Sequence, residues 1–162
     1  MKVQWTPELA TGSAEIDGQH KELFILIDSL LSAFERGIVS REEVERVIGF
    51  LGDYVVLHFA TEEKHMTGYF YANRSAHMAQ HAQFVRNFGR LREQMHAEGV
   101  SPELAAATKE LCVDWLVNHI KFSDRALGMF LKQRLQLNSG ERIAESKITH
   151  APLSVKREGH GS

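Results

Sequence analysis

The run Val44-Glu-Arg-Val-Ile-Gly-Phe-Leu-Gly-Asp-Tyr-Val-Val-Leu-His-Phe-Ala-Thr-Glu-Glu63 decides the fold class. Its apolar residues Val44, Val47, Ile48, Leu51 and Val55 recur at three and four residues, which is one face of an α-helix. The same face continues into His58 and Glu62, spaced i,i+4 and therefore one turn apart on the same side. Ser40-Arg41-Glu42-Glu43 opens the helix as a capping box, and Gly68 marks its end.

Three further stripes read the same way. His20, Leu23, Phe24, Ile27, Leu30, Leu31 and Phe34 form one, with Asp17 as its expected cap and Gly37 as its stop. His77, His81, Phe84, Val85, Phe88, Leu91 and Met95 form the next, ending at Gly99. Ser101-Pro102 opens the last, a cap followed by proline at the first helical position, and Leu104, Thr108, Leu111, Trp115 and His119 carry it toward Leu135. The three prolines, Pro7, Pro102 and Pro152, leave these segments unbroken. Short connections make sequential helices antiparallel neighbours. The expected fold is all-α: an up-down-up-down four-helix bundle with an extended N-terminal arm and a C-terminal tail. The bundle is assigned to residues 1–137 and a flexible tail to residues 138–162.

Composition excludes several function classes. The chain has 162 residues, 43% hydrophobic and 25% charged, with a formal net charge of -2. It has no basic surplus to hold phosphate backbones, so nucleic acid is not expected as a partner. No apolar run approaches membrane-span length, and none follows the N-terminus as in a signal peptide. The single Cys112 rules out an internal disulfide framework. These features together predict a soluble, cytoplasmic protein.

Polar residues of one chemical kind interrupt all four stripes: His20 on the first, His58 and Glu62 on the second, His77 and His81 on the third, and His119 and Asp124 on the fourth. A lone histidine on an apolar face is usually a core or boundary residue, and an i,i+4 pair can sit on a solvated face. Five imidazoles and two carboxylates in one core layer need a reason, because a buried carboxylate is costly unless paired or metal-bound. Imidazole with carboxylate suits iron, copper, zinc or nickel. Seven donors exceed one ion's coordination, and two carboxylate-bridged ions fit the count. Asp124 lies five residues after His119, about 140° off its face in a regular helix. Either a π-type turn stands between them or Asp124 reaches round from a helix end. His65 falls seven residues beyond His58 and reads as a boundary residue; His96, His150 and His160 read as solvated.

Together these stretches resemble the hemerythrin family, most closely its single-domain bacterial members. The matching residues are Trp5, Gly12, Ile16-Asp17-Gly18-Gln19-His20, His58-Phe59-Ala60-Thr61-Glu62-Glu63, Met66, His77-x-x-x-His81-x-x-Phe84 and Trp115-Leu116-x-x-His119-Ile120-x-x-x-Asp124. The chain departs from the family pattern at His65, usually apolar, at Phe70, usually proline, and at Arg125-Ala126-Leu127, often basic-basic-aromatic. The resemblance implies a non-haem di-iron centre, bridged by oxygen, that binds O2 reversibly. Carried over by position, His77, His81 and His119 would hold one iron, His20 and His58 the other, and Glu62 and Asp124 would bridge them. That leaves the first iron closed and the second with one open position. Leu116 falls where the family places an apolar residue over the O2 pocket, with Phe24 and Phe59 as further candidates for its wall.

The implied function is oxygen storage, or delivery to an oxygen-consuming enzyme, and the oligomeric state is left open. Ferritin-like oxidases use a carboxylate-rich site with Glu-x-x-His motifs; here five neutral donors outnumber two anions, which stabilises high-valent iron less and disfavours an enzyme. The alternatives are an O2, NO or redox sensor acting through a partner, and a di-iron enzyme of peroxidase, NO reductase or iron-repair type.

Overall fold

The computed structural model describes residues 3–36 and 40–149, with side chains described except at 36 and 138–149. Three long helices, α1 (Ala14–Arg36), α2 (Arg41–Gly68) and α3 (Arg74–Glu98), precede a fourth rod. That rod comprises α4 (Pro102–Lys109), a π turn at Glu110–Trp115, α5 (Leu116–His119), a second π turn at Ile120–Asp124 and α6 (Arg125–Thr149). Helix α1 packs on α2, α2 on α3, and both α1 and α3 on α4, closing the antiparallel four-helix bundle. The described residues contain no strand, and no helix among them is long and apolar enough to cross a membrane. The expected all-α bundle is the observed one.

Caps follow the sequence with one correction. Ser40 Oγ accepts from Glu43 N (3.2 Å) and Ser101 Oγ from Leu104 N (3.1 Å). Asp17 is not the cap of α1. The cap position belongs to Ser13, whose carbonyl accepts from Asp17 N at 2.8 Å. Asp17 instead lies in the first turn and reaches backward, accepting from Thr11 N (2.7 Å), Thr11 Oγ1 (2.9 Å) and Gly12 N (3.2 Å). It ties the arm to the bundle while its charge sits at the favourable end of the helix dipole. Gly37, the expected stop of α1, lies outside the described residues.

The arm is extended apart from one 3-10 turn at Pro7–Leu9. Val3 N donates to Asp28 Oδ1 (2.7 Å), Val3 and Leu9 are buried, and the Lys21 ammonium stands 4.6 Å over the Trp5 ring. At the other end of the chain, α6 passes Asn138 without a break and runs to Thr149, so no change of backbone marks the expected start of the tail. Residues 150–162 lie outside the described residues.

Two apolar cores share the bundle. The larger includes Leu23, Ile27, Leu30, Ile48, Leu51, Phe84, Phe88, Met95, Leu104 and Ile120. The smaller is Ile16, Met66, Leu127 and Leu131, flanked by Tyr69, Tyr71, Met78 and Phe130. Val85, read as part of the α3 stripe, is 43% exposed; its neighbour Phe84 takes the core-facing position, and adjacent helical residues cannot share it.

One glycine fixes how the arm meets the bundle. A Cβ on Gly128 would run into the Thr11 carbonyl oxygen, a backbone atom that cannot swing aside. Gly128→Ala is therefore expected to lower stability by about 1–3 kcal/mol, the usual cost of overpacking. Gly49→Ala, in α2 with open space around its Cβ, should stabilise by up to about 1 kcal/mol. Urea midpoints of the two variants check both signs; a neutral Gly128→Ala would contradict the close approach.

Candidate metal centre

The polar residues of the four stripes converge between the two cores. One donor of each helix sits where that helix passes from one core to the other: His20 between Ile16 and Leu23, Glu62 between Phe59 and Met66, His81 between Met78 and Phe84, and Asp124 between Ile120 and Leu127. Packing of the apolar residues above and below brings the donors into one layer, all buried. The sequence spacing of His119 and Asp124 is resolved by the π turn at Ile120–Asp124. The extra residue in the turn rotates Asp124 back to the His119 side, and His119 Nε2 lies 3.0 Å from Asp124 Oδ1.

Asp124 and Glu62 stand at the centre. Asp124 Oδ1 is also 3.1 Å from His77 Nε2, and its Oδ2 is 3.2 Å from His20 Nε2. Glu62 Oε2 is 3.4 Å from His77 Nε2 and 3.2 Å from His81 Nε2. These donor atoms fall into two groups, each within 4.8 Å: Glu62, His77, His81, His119 and Asp124 in one, and His20, His58, Glu62 and Asp124 in the other. The two carboxylates belong to both.

Among the described residues, the same atoms are the main unsatisfied polar groups. Both oxygens of Glu62 and of Asp124, both ring nitrogens of His20, and Nε2 of His58 and of His81 are buried without a hydrogen-bond partner. Buried donors and acceptors are normally paired. A cluster of orphans that share two anions is what a pair of cations would satisfy, so the residues present fit a two-metal centre.

The hemerythrin HHE cation-binding domain matches residues 11–131 of the chain. The chain belongs to the hemerythrin family. The bacteriohemerythrin of Methylococcus capsulatus is 35% identical over 125 residues, 76% of this chain and 92% of the relative. That of Pseudomonas aeruginosa is 36% identical over 121 residues, 74% and 75% of the two chains. The crystal structure of a wild-type hemerythrin matches with a TM-score of 0.68 and 32% identity, covering 79% of this chain and 96% of that one. The family implies a non-haem di-iron site, and this bacterial hemerythrin family member has a cluster able to bind metal.

Around the donors, the family member places two kinds of support. Aromatic rings fix the imidazoles: Phe59 lies flat on His81 (3.8 Å between centroids, 6° between planes) and Trp115 flat on His119 (4.4 Å, 11°). Two of the outer ring nitrogens find partners, His81 Nδ1 at Glu63 Oε1 (3.0 Å) and His58 Nδ1 at Gln19 Oε1 (3.1 Å), while Nδ1 of His20 and of His77 have none. Sequence reasoning assigned no role to Gln19 or Glu63. The available signal was adjacency, since each stands beside a donor in the chain. Leu116, Phe24 and Phe59 are all buried, as a dry wall requires. His65 faces outward, 3.0 Å from Glu15 Oε2 and stacked near Tyr69, consistent with a boundary residue. His96 pairs with Glu45 at the surface, and His150 and His160 lie outside the described residues.

Burial and charge set the protonation of the metal-free cluster. Burial pushes His58 down to about 4, which keeps its imidazole neutral. Burial also opposes charge on His77, but the Asp124 and Glu62 carboxylates beside it raise it to about 9. Burial and Asp124 push Glu62 up, yet the imidazoles of His77 and His81 against its carboxylate hold it at about 2. Asp124, likewise disfavoured by burial, is held well below the usual carboxylate range by His119, His20 and His77.

The signs differ between the two histidines. The raised value of His77 gives the metal-free protein stability that is present below pH ~6.5 and lost as pH rises through about 9. The lowered value of His58 gives stability that is present above pH ~6.5 and lost as pH falls toward about 4. A ligating imidazole must surrender its proton. Iron(II) loading near pH 7.5 is therefore expected to release about one proton, from His77, and to tighten up to tenfold per pH unit until about pH 9. Calorimetry in two buffers of different ionisation heat reads the proton count; a count of zero would contradict the charged His77.

Proposed function

We propose that the chain binds O2 reversibly at a di-iron centre, for storage or for delivery to an oxygen-consuming enzyme, and works as a carrier rather than a catalyst. The observation that supports this most is the pair of buried donor groups sharing Glu62 and Asp124. His77, His81 and His119 would hold one iron, His20 and His58 the other, and the two carboxylates would bridge them. When bound, a ferrous pair supplies the electrons that make O2 affinity possible.

The side chains do the rest. The two buried anions balance cationic charge, and the five imidazoles supply neutral donors. The set around His20 and His58 has fewer donors, so a metal held there would keep a position open for a small ligand. Leu116, from the turn before His119, and Phe24, from the turn after His20, carry no proton donor, and Phe59 fills the space between His58 and His81. These residues would keep water away from the donors, a condition that reversible binding of O2 requires. None of them offers an acid or base for turnover, which favours carriage over an enzyme. The thiol of Cys112 is buried and pushed up to about 12 by burial, so it offers no thiolate nucleophile for turnover.

Leu116→Ala tests the dry wall. The variant should lose about 2–5 kcal/mol of stability, oxidise in air several-fold faster, and bind azide faster in its oxidised form. Stopped-flow absorbance reads both rates. Unchanged autoxidation and azide binding would remove Leu116 from the O2 pocket.

A further inference from the structure

His81 and His58 are equivalent in two respects. Each turns Nε2 into the buried layer, unpartnered, and each gives Nδ1 to a residue outside it. The outer partners are of different charge. His58 Nδ1 faces Gln19 Oε1, and the orientation of that amide is settled by its other end, where Nε2 donates to Thr61 Oγ1 (3.0 Å) and the Thr61 hydroxyl donates on to the Leu57 carbonyl (3.1 Å). Gln19 thus offers His58 a neutral acceptor. His81 Nδ1 faces Glu63 Oε1 at 3.0 Å, and Glu63 is a carboxylate with its side chain about one-third exposed (32%). Both partners accept, so both rings carry their proton on Nδ1 and aim the Nε2 lone pair inward. Only His81 is backed by an anion.

An anion behind an imidazole pulls on the Nδ1 proton and makes Nε2 a stronger donor. The flat contact of Phe59 on the same ring removes the remaining rotation. We propose that Glu63 is a positioning residue that acts through His81: it fixes the ring and strengthens its donation to the metal held with His77 and His119. Gln19, on the other side, fixes His58 without that push. The two metals are thereby made unlike, the His81 metal better able to carry ferric charge and the His58 metal left weaker in donors. The proposal rests on the di-iron reading given above.

The test uses the full chain loaded with iron. Glu63→Gln keeps an acceptor and removes the charge, Glu63→Ala removes both, and Gln19→Glu adds a charge behind His58. Glu63→Gln should move the midpoint potential positive in a spectroelectrochemical titration, and Gln19→Glu should move it negative. Glu63→Ala should hold iron about 10–100-fold more weakly against a competing chelator. Metal-free Glu63→Gln should melt with the metal-free parent. Native potential and native iron retention in both Glu63 variants would overturn the proposal, as would a loss confined to metal-free melting, which marks a structural residue. Failure of the parent chain to hold two irons would instead overturn the di-iron reading itself.

Discussion

Asp124→Ala is expected to purify with at most one iron per chain. Asp124 lies 3.0–3.2 Å from the Nε2 atoms of His20, His77 and His119, and it is common to both donor groups. Two divalent ions a few ångströms apart repel strongly in a buried site, and a shared carboxylate offsets that repulsion where water cannot. Removing it weakens both sites at once. Glu62→Ala should behave alike, since Glu62 is the other shared anion. Asp124→Asn separates charge from shape: it fills the same volume, should fold, and should still lose iron. Elemental analysis of the purified proteins checks the count, and two irons in Asp124→Ala would refute the bridging role.

The second large effect is on stability. Removing iron should lower the melting temperature by about 10 °C or more. The metal-free cluster leaves Glu62, Asp124, His20, His58 and His81 with buried atoms that have no partner, and each such group carries an unmet desolvation cost. Ions that bind only the folded chain stabilise it by mass action, roughly 4 kcal/mol at a thousandfold excess over Kd. For a chain of this size each kcal/mol moves the midpoint by about 2–4 °C. Scanning calorimetry before and after anaerobic chelation reads the difference. An unchanged midpoint after verified iron removal would mean that the cluster is satisfied without metal.

Much of this was readable from the residues because the signals were redundant. Each apolar stripe identified its helix, and the donors interrupt the stripes at the level where the two cores meet. Even the π turn at Ile120–Asp124 is foreshadowed, since a step of five residues from one inward-facing donor to the next does not fit a regular helix. The other π turn, at Glu110–Trp115, spans no such constraint, and the spacing from Thr108 to Trp115 suits a plain helix equally well. Asp17 reads as a cap because a carboxylate near a helix start serves that role equally well by sequence; its actual partners, Thr11 and Gly12, are set by where the arm folds back. Val85 was counted as core because an apolar residue beside Phe84 fits the period within one step. Gln19 and Glu63 were unreadable because an outer hydrogen bond depends on which helix stands opposite, and a polar residue next to a donor reads as solvated face. The continuation of α6 to Thr149 leaves no mark in the composition, because Gly, Ser, Lys and Glu after Asn138 resemble a linker.

Metal analysis combined with visible spectra of the reduced protein tests the central claim most directly. The protein is reduced without air, exposed to O2, then returned to vacuum through several cycles. The account predicts two irons per chain and an absorption band that appears with O2 and disappears on its removal, with most of the signal recovered in each cycle. Fewer than two irons, or a band that forms once and cannot be reversed, would contradict it.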